Sequence, residues 1–377
     1  MNKIYLLTAA FAVMASLSGC SDTELASIDT VQEKTPIGFH TVGSQMGSRA
    51  TIIDNSNLTD YSFNVYAFNR KDDGTDDAVF MGTNDEELGY SGVNISYQDG
   101  KWNYTNQADL KYWPTGSLNF YAVSPASDPI FYSWQISQTT KKIHYASYDE
   151  YANETNPSYT DVMYAIATDN SKAVNGGIVK LQFRHITSQI AFMAKKTSNL
   201  NVEIKSIKLH NFETSGVFTI PTDGTDPQQK SWGYKSISNN DGFTVIKDAT
   251  ISVGTEATDI STTTPMFLIP QTLTKWDTSH NIETANAKKE SYFSIECKIS
   301  IGDSYKLGSK SGYGTLYVPF EADWKPGKRY VYTLIFGGGY DKDGNPILQP
   351  INFEPSVEDW GIVDDNTSTD KDIPLYQ

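Results

Sequence analysis

Apolar and polar positions alternate along this chain in short runs, and clusters of turn-forming residues separate the runs. In YFSIECKISI, Phe293, Ile295, Cys297, Ile299 and Ile301 fall on one face, and Ser294, Glu296, Lys298 and Ser300 on the other. That period of two predicts a strand with one buried face. Similar runs are IGFHTV (37–42), SFNVYAF (62–68, with Phe63, Val65 and Ala67 on one face), KWNY (101–104), SLNFYAV (117–123), DVMYA (161–165), MFLIPQ (266–271), TLYVPF (315–320), RYVYTLIF (329–336) and ILQPINF (347–353). Asp72-Asp73-Gly74, Asp99-Gly100 and Asp343-Gly344 read as turns between them. Heptads and short fixed repeats are absent from the sequence.

Two runs break their own parity. In KLQFRHITSQIAFMAK (180–195), Leu181 and Phe183 are apolar at odd positions, then Ile186, Ile190 and Phe192 at even ones. A shift of one residue sends every side chain to the opposite face. The break marks either a bulge near His185 or a strand leaving one core for another, and a domain boundary is expected near residue 184. VEIKSIKLHNF (202–212) changes parity around Lys205-Ser206, which predicts a bulge. Two consecutive all-β domains, both sandwiches, fit this pattern, one over 36–184 and one over 185–361.

The first residues depart from it. MNKIYLLTAAFAVMASLSGC has an early lysine, an apolar run from Ile4 to Ala15, and a close of Leu17-Ser18-Gly19-Cys20. The run is short for a bilayer span and has the layout of a signal peptide, residues 1–19. Its ending resembles a bacterial lipobox, in which the Cys20 thiol takes a diacylglycerol and the freed amine a further acyl chain. Several acyl chains hold a protein on a membrane stably. Residues 20–35 are polar and acidic and read as a tether. Cys297, the second of two cysteines, is expected to be a small core residue without a disulfide partner.

Composition narrows the function. The chain has 377 residues, 12% aromatic with 23 tyrosines, and a formal net charge of −15. The aromatic content favours strands. The negative charge argues against nucleic acid and against charge-driven binding to anionic membrane. Five histidines (His40, His144, His185, His210 and His280) are scattered, with no HExxH motif, GxSxG elbow or phosphate-binding glycine loop. His185 reads as a packing or hydrogen-bonding residue. Asp341-Lys342-Asp343-Gly344-Asn345 has its glycine too early for a calcium loop and reads as a turn. No enzyme activity and no cofactor are expected. The seven tryptophans suit core filling, with a sugar platform as the alternative.

The phrases LTDYSFNVYAF, LKYWPTGSLNFYAVSP, DVMYA, VKLQFRHITSQIAF, FLIPQ, ADWKPGKRYVYTLIF and INFEPSVEDW, in that order from about residue 36 to 360, resemble the fimbrillin family of Bacteroidales type V pili. The resemblance implies two transthyretin-like Greek-key sandwich domains and a precursor carried as a lipoprotein to the outer-membrane surface. Asp22 and Glu24 resemble a surface-export signal of such lipoproteins, and Asp29-Thr30-Val31 an O-glycosylation acceptor. It further implies that an arginine- or lysine-specific protease cuts after the first strand, and that a strand of another pilus subunit then enters the opened groove. Only four arginines are present: Arg49, Arg70, Arg184 and Arg329. Arg49 follows IGFHTV in a Gly/Ser setting, so Arg49–Ala50 is the expected cleavage bond. The displaced strand would carry Ile37, Phe39 and Val42 away from a sandwich edge. Donation is expected from the tail, 362–377, where Ile373 and Leu375 alternate but Pro374 interrupts. ILQPINF is the other candidate donor. A poor donor would cap a fibre, so an accessory or tip subunit is expected, with a host or bacterial surface ligand or glycan as a further partner. The alternative reading is a surface glycan-binding lipoprotein for polysaccharide capture.

Overall fold

A computed structural model of the chain describes residues 35–41, 53, 57–85, 89–126, 132–146, 161–197, 199–223, 225–237, 242–247, 249–260, 266–337, 341–345 and 352–359. The fold is all-β in stacked sheets, as the alternation predicts, with short helices at Lys172–Asn175 and Ile282–Lys288. Two strands, β1 (Gly38–Thr41) and β2 (Phe63–Arg70), recur below.

The largest sheet runs Ile178–Leu181, β1, Lys101–Tyr104, Val93–Gln98, β2, Leu118–Ser124, Met163–Asn170, Arg184–His185, with Asp76–Met81 also on β2. The sheet folds over its own core. Three strands separate Phe39 of β1 from Phe120 in the sheet, yet their rings are 6.2 Å apart. Twist and coiling bring such distant strands face to face. Phe63, Val65 and Ala67 point into this core as the alternation requires.

The other face of β2 is also covered. Tyr66 and Phe68, with Tyr121 and Tyr164, pack against a four-stranded sheet of Tyr132–Ile136, Lys141–Ala146, Glu213–Thr219 and Trp232–Ile237. Two of those strands precede residue 184 and two follow it. β2 and Leu118–Ser124 are thus buried on both sides. This is why SLNFYAV is apolar and aromatic almost throughout. Between the layers, Lys141 Nζ lies 2.5 Å from Asp76 Oδ2, with both side chains almost fully buried. The rings of Phe68 and Tyr121 sit 4.9 and 4.8 Å from the ammonium. Backbone carbonyls of Ser137 and Gln138 take its remaining protons. Burial pulls the Lys141 pKa below its ordinary value, opposed by Asp76.

Past His185 the chain changes sheet. Ser188–Lys196 pairs in parallel with Lys328–Phe336, which also carries Asn352–Asp359 on its far side. The parity change of 180–195 coincides with this crossing: Leu181 and Phe183 face the first core, Ile190 and Phe192 another. Opposite lies a sheet built on Asn201–His210 and Tyr292–Ile301. Their register shifts between Ile204 and Ser206, so Lys205 is the extra residue of the expected bulge. Phe192 and Phe293 meet edge to face at 5.3 Å between the two sheets. Asp341 closes a turn by accepting the backbone N–H groups of Asp343 and Asn345 at 2.9 Å each. The hydrogen bonds from Asn345 hold its carboxyl below the usual range.

Phe293, Ile295, Cys297 and Ile299 are wholly buried, but Ile301, expected with them, is 40% exposed. Its strand turns at Gly302, beyond the cover of the facing sheet. Burial pushes the Cys297 thiol up to about 12. Thiolate is the reactive form, so Cys297 is expected to resist a maleimide or disulfide reagent in the native protein and to label rapidly in denaturant. Rapid native labelling would contradict its position in the core.

Candidate functional site: the slot that holds the first strand

β1 is short, and its inward positions follow strictly from the period of two. Ile37, Phe39 and Thr41 are 1%, 7% and 0% exposed. Its expected place at a sheet edge is not what the structure has. β1 lies between two strands, parallel to Ile178–Leu181 from Gly38↔Ile178 to Thr41↔Leu181, and antiparallel to Lys101–Tyr104 at Phe39↔Trp102. Backbone bonds extend the pairing upstream: Ile37 N donates to the Lys111 carbonyl (2.9 Å), Gly38 N to Gly177 (2.8 Å), and Trp113 N to Thr35 (3.1 Å). Pro36 lacks an N–H and opens the segment, where none is used. The strand therefore fills a slot with two hydrogen-bonding walls. The sequence alone could not reveal this, because each wall comes from residues far along the chain.

The slot floor is aromatic. The Phe39 ring lies 6.3 Å from Phe63, 5.9 Å from Tyr104 and 6.2 Å from Phe120, mostly edge to face. Such pairs add about 0.5–1.5 kcal/mol each beyond area burial. Trp102 packs 4.8 Å from Phe63 and 5.3 Å from Tyr97. Its Nε1 donates to Thr41 Oγ1 at 3.0 Å. The third inward side chain is thus Thr41. Val42, expected in that role, lies outside the described residues, as do Cys20, Arg49, Ala50, Ile373 and Leu375.

Ile53 is 1% exposed and donates its N–H to Asp161 Oδ2 at 2.9 Å. The other carboxylate oxygen lies 2.8 Å from His185 Nδ1, with both side chains fully buried. His185 is the hydrogen-bonding residue expected of it. Asp161 was missed as a partner, since an aspartate before an apolar run reads equally well as a turn. The three other arginines, Arg70, Arg184 and Arg329, all lie within strands.

Trp102, Trp232, Trp276 and Trp324 are buried. A cleft of about 250 Å³ is lined by Tyr164, Gln182, Arg184 and Asp223, among others, without a tryptophan. Arg184 there is bonded to Asp226 at 2.8 Å.

A family model described as fimbrillin-like matches residues 48–360. Among solved structures, a fimbrial protein from Bacteroides vulgatus is similar at a TM-score of 0.55 and 14% identity, over 86% of this chain and 99% of that one. A candidate cell adhesion protein from Bacteroides ovatus gives 0.45 and 14%, over 87% and 99%. The tip fimbrial protein Mfa3 from Porphyromonas gingivalis, with a C-terminal truncation, gives 0.38 and 11%, over 86% and 100%. Among curated protein sequences no relative matches.

Phe39→Ala is expected to destabilise the protein by about 3–5 kcal/mol, the usual cost of emptying a buried phenylalanine site. Lys180→Ala, on the neighbouring strand but exposed, should stay within about 0.5 kcal/mol. Urea unfolding curves of the two variants test this, and equal midpoints would show that β1 adds little to the core.

Proposed function

Because the chain belongs to the fimbrillin-like family, we propose that it is a structural and adhesive subunit of a cell-surface pilus, made as a lipoprotein and opened for assembly by removal of β1. The observation that carries this reading is β1 itself. A single short strand closes a two-walled aromatic slot, and the candidate cleavage bond lies in sequence between it and Ile53, the next described residue.

The steps follow from the residues. A lipid on Cys20 holds the precursor at the outer membrane. An arginine-specific protease binds Gly47-Ser48-Arg49-Ala50 in extended form and cuts the Arg49–Ala50 bond. A strand-bound arginine offers its backbone poorly to a protease cleft, which disfavours Arg70, Arg184 and Arg329. Loss of β1 then uncovers the sites of Ile37 and Phe39, each worth about 1.5–3 kcal/mol on burial. It also leaves two rows of unpaired backbone groups. A strand from another pilus subunit recovers both. Ile53, held by Asp161, keeps the rest of the first core in place.

The position in the fibre is that of an accessory or tip subunit. The tail offers only Ile373 and Leu375 in alternation, and Pro374 between them donates no hydrogen bond. The adhesive partner is a ligand or glycan on a host or bacterial surface.

Two measurements test this. N-terminal sequencing of surface material should find wild-type chains beginning at Ala50, and Arg49→Ala chains still beginning at lipidated Cys20. Wild-type chains beginning only at Cys20 would overturn the maturation step. For the tip assignment, arginine-cut full-length protein should fail to polymerise by itself, just as a truncation ending at Trp360 should. Self-polymerisation that depends on the tail would make the protein a stalk subunit.

A further inference from the structure

The lining of the β1 slot is mostly apolar, and one polar group in it bonds a side chain of β1. Trp102 is 6% exposed, and its indole is wedged between the rings of Phe63 and Tyr97. Its N–H is therefore aimed by packing on side chains outside β1. The acceptor, Thr41 Oγ1 at 3.0 Å, sits on β1 and is fully buried. Whatever removes β1 removes that acceptor, and a strand that refills the slot buries the indole N–H again.

We propose that Trp102 selects the strand that occupies this slot, and that the partner is an extended segment of a different subunit carrying a large, preferably aromatic, residue at the Phe39 place and a hydroxyl residue two positions later. The proposal rests on the strand-replacement reading above and adds to it a rule for the partner. A valine at the Thr41 place would fill the same volume but leave the indole N–H unpaired. An unmet buried donor carries its full desolvation cost. A site built to bond a polar group rejects an isostere lacking it more strongly than it rejects a change of one methylene.

The backbone adds a second condition. The N–H of Gly38 donates to Gly177, so the residue just before the aromatic position cannot be proline without orphaning that carbonyl. This chain's own tail does not qualify. With Ile373 laid on Ile37, Pro374 falls at Gly38 and Leu375 at Phe39. By this rule the tail is not the strand the slot is shaped for.

The test uses the full-length protein cut after Arg49 by an arginine-specific protease, with the cut verified by mass. Fluorescent peptides of residues 35–42 are added, one of native sequence and two with Thr41→Ser or Thr41→Val, and uptake is followed by anisotropy. The native and serine peptides should bind alike, and the valine peptide about tenfold or more weaker. In Trp102→Phe protein the difference between threonine and valine should vanish. Equal uptake of threonine and valine peptides by the wild-type slot would overturn the selection rule while leaving strand replacement intact. Failure of every peptide to enter the cut protein would overturn strand replacement and the rule with it.

Discussion

Among the described residues, the strand Ile178–Leu181 is joined to its sheet only through β1. The first core therefore closes through four residues, Gly38–Thr41, that come from the first described segment, residues 35–41. On one side they make a parallel ladder, on the other an antiparallel contact. Between the walls, Phe39 reaches across to Phe120. A parallel ladder needs a long connection, and here it joins residues 38–41 to residues 178–181. It is also non-local, and its hydrogen bonds and its apolar burial stand or fall together.

The interior of the fold shields the rest of the molecule from that dependence. β2 and Leu118–Ser124 are buried on both faces, one toward Phe39 and the other toward the four-stranded layer. The second face holds the Lys141–Asp76 pair between the rings of Phe68 and Tyr121. Taking a buried pair apart costs far more than it contributes as a pair, so the pair fixes how the layers sit on each other. The Asp161–His185 pair is placed similarly. It binds the returning chain at Ile53 and the strand that leads to the next core. The part of the fold that is removable in the proposed maturation is thus separated by a buried carboxylate from the part that is not.

For a fimbrillin-like subunit this division has a direct use. In the proposed assembly the slot would be occupied both before and after strand replacement, because an open aromatic groove with two unpaired edges would collect any strand available. In the proposed maturation, occupation by β1 would keep the precursor closed. A donor fixed at Trp102 makes occupation depend on chemistry as well as shape.

The sequence by itself determined the local elements. Period-two alternation located the strands at 101–104, 117–123 and 292–301, the bulge at Lys205-Ser206, the buried Cys297 and the change of face after Phe183, since side-chain parity is a property of each strand alone. It also carried the family likeness, through the order of short phrases. What it could not supply was which strand lies beside which. Nothing in IGFHTV says that its neighbours are Ile178–Leu181 and Lys101–Tyr104, that β2 is covered on its second face by strands from Glu213–Ile237, or that Thr41 meets the indole of Trp102. Periodicity reports that a face is buried, but not by what. The covering residues are set by long-range pairing, and that is decided only when distant strands compete for the same edges in three dimensions.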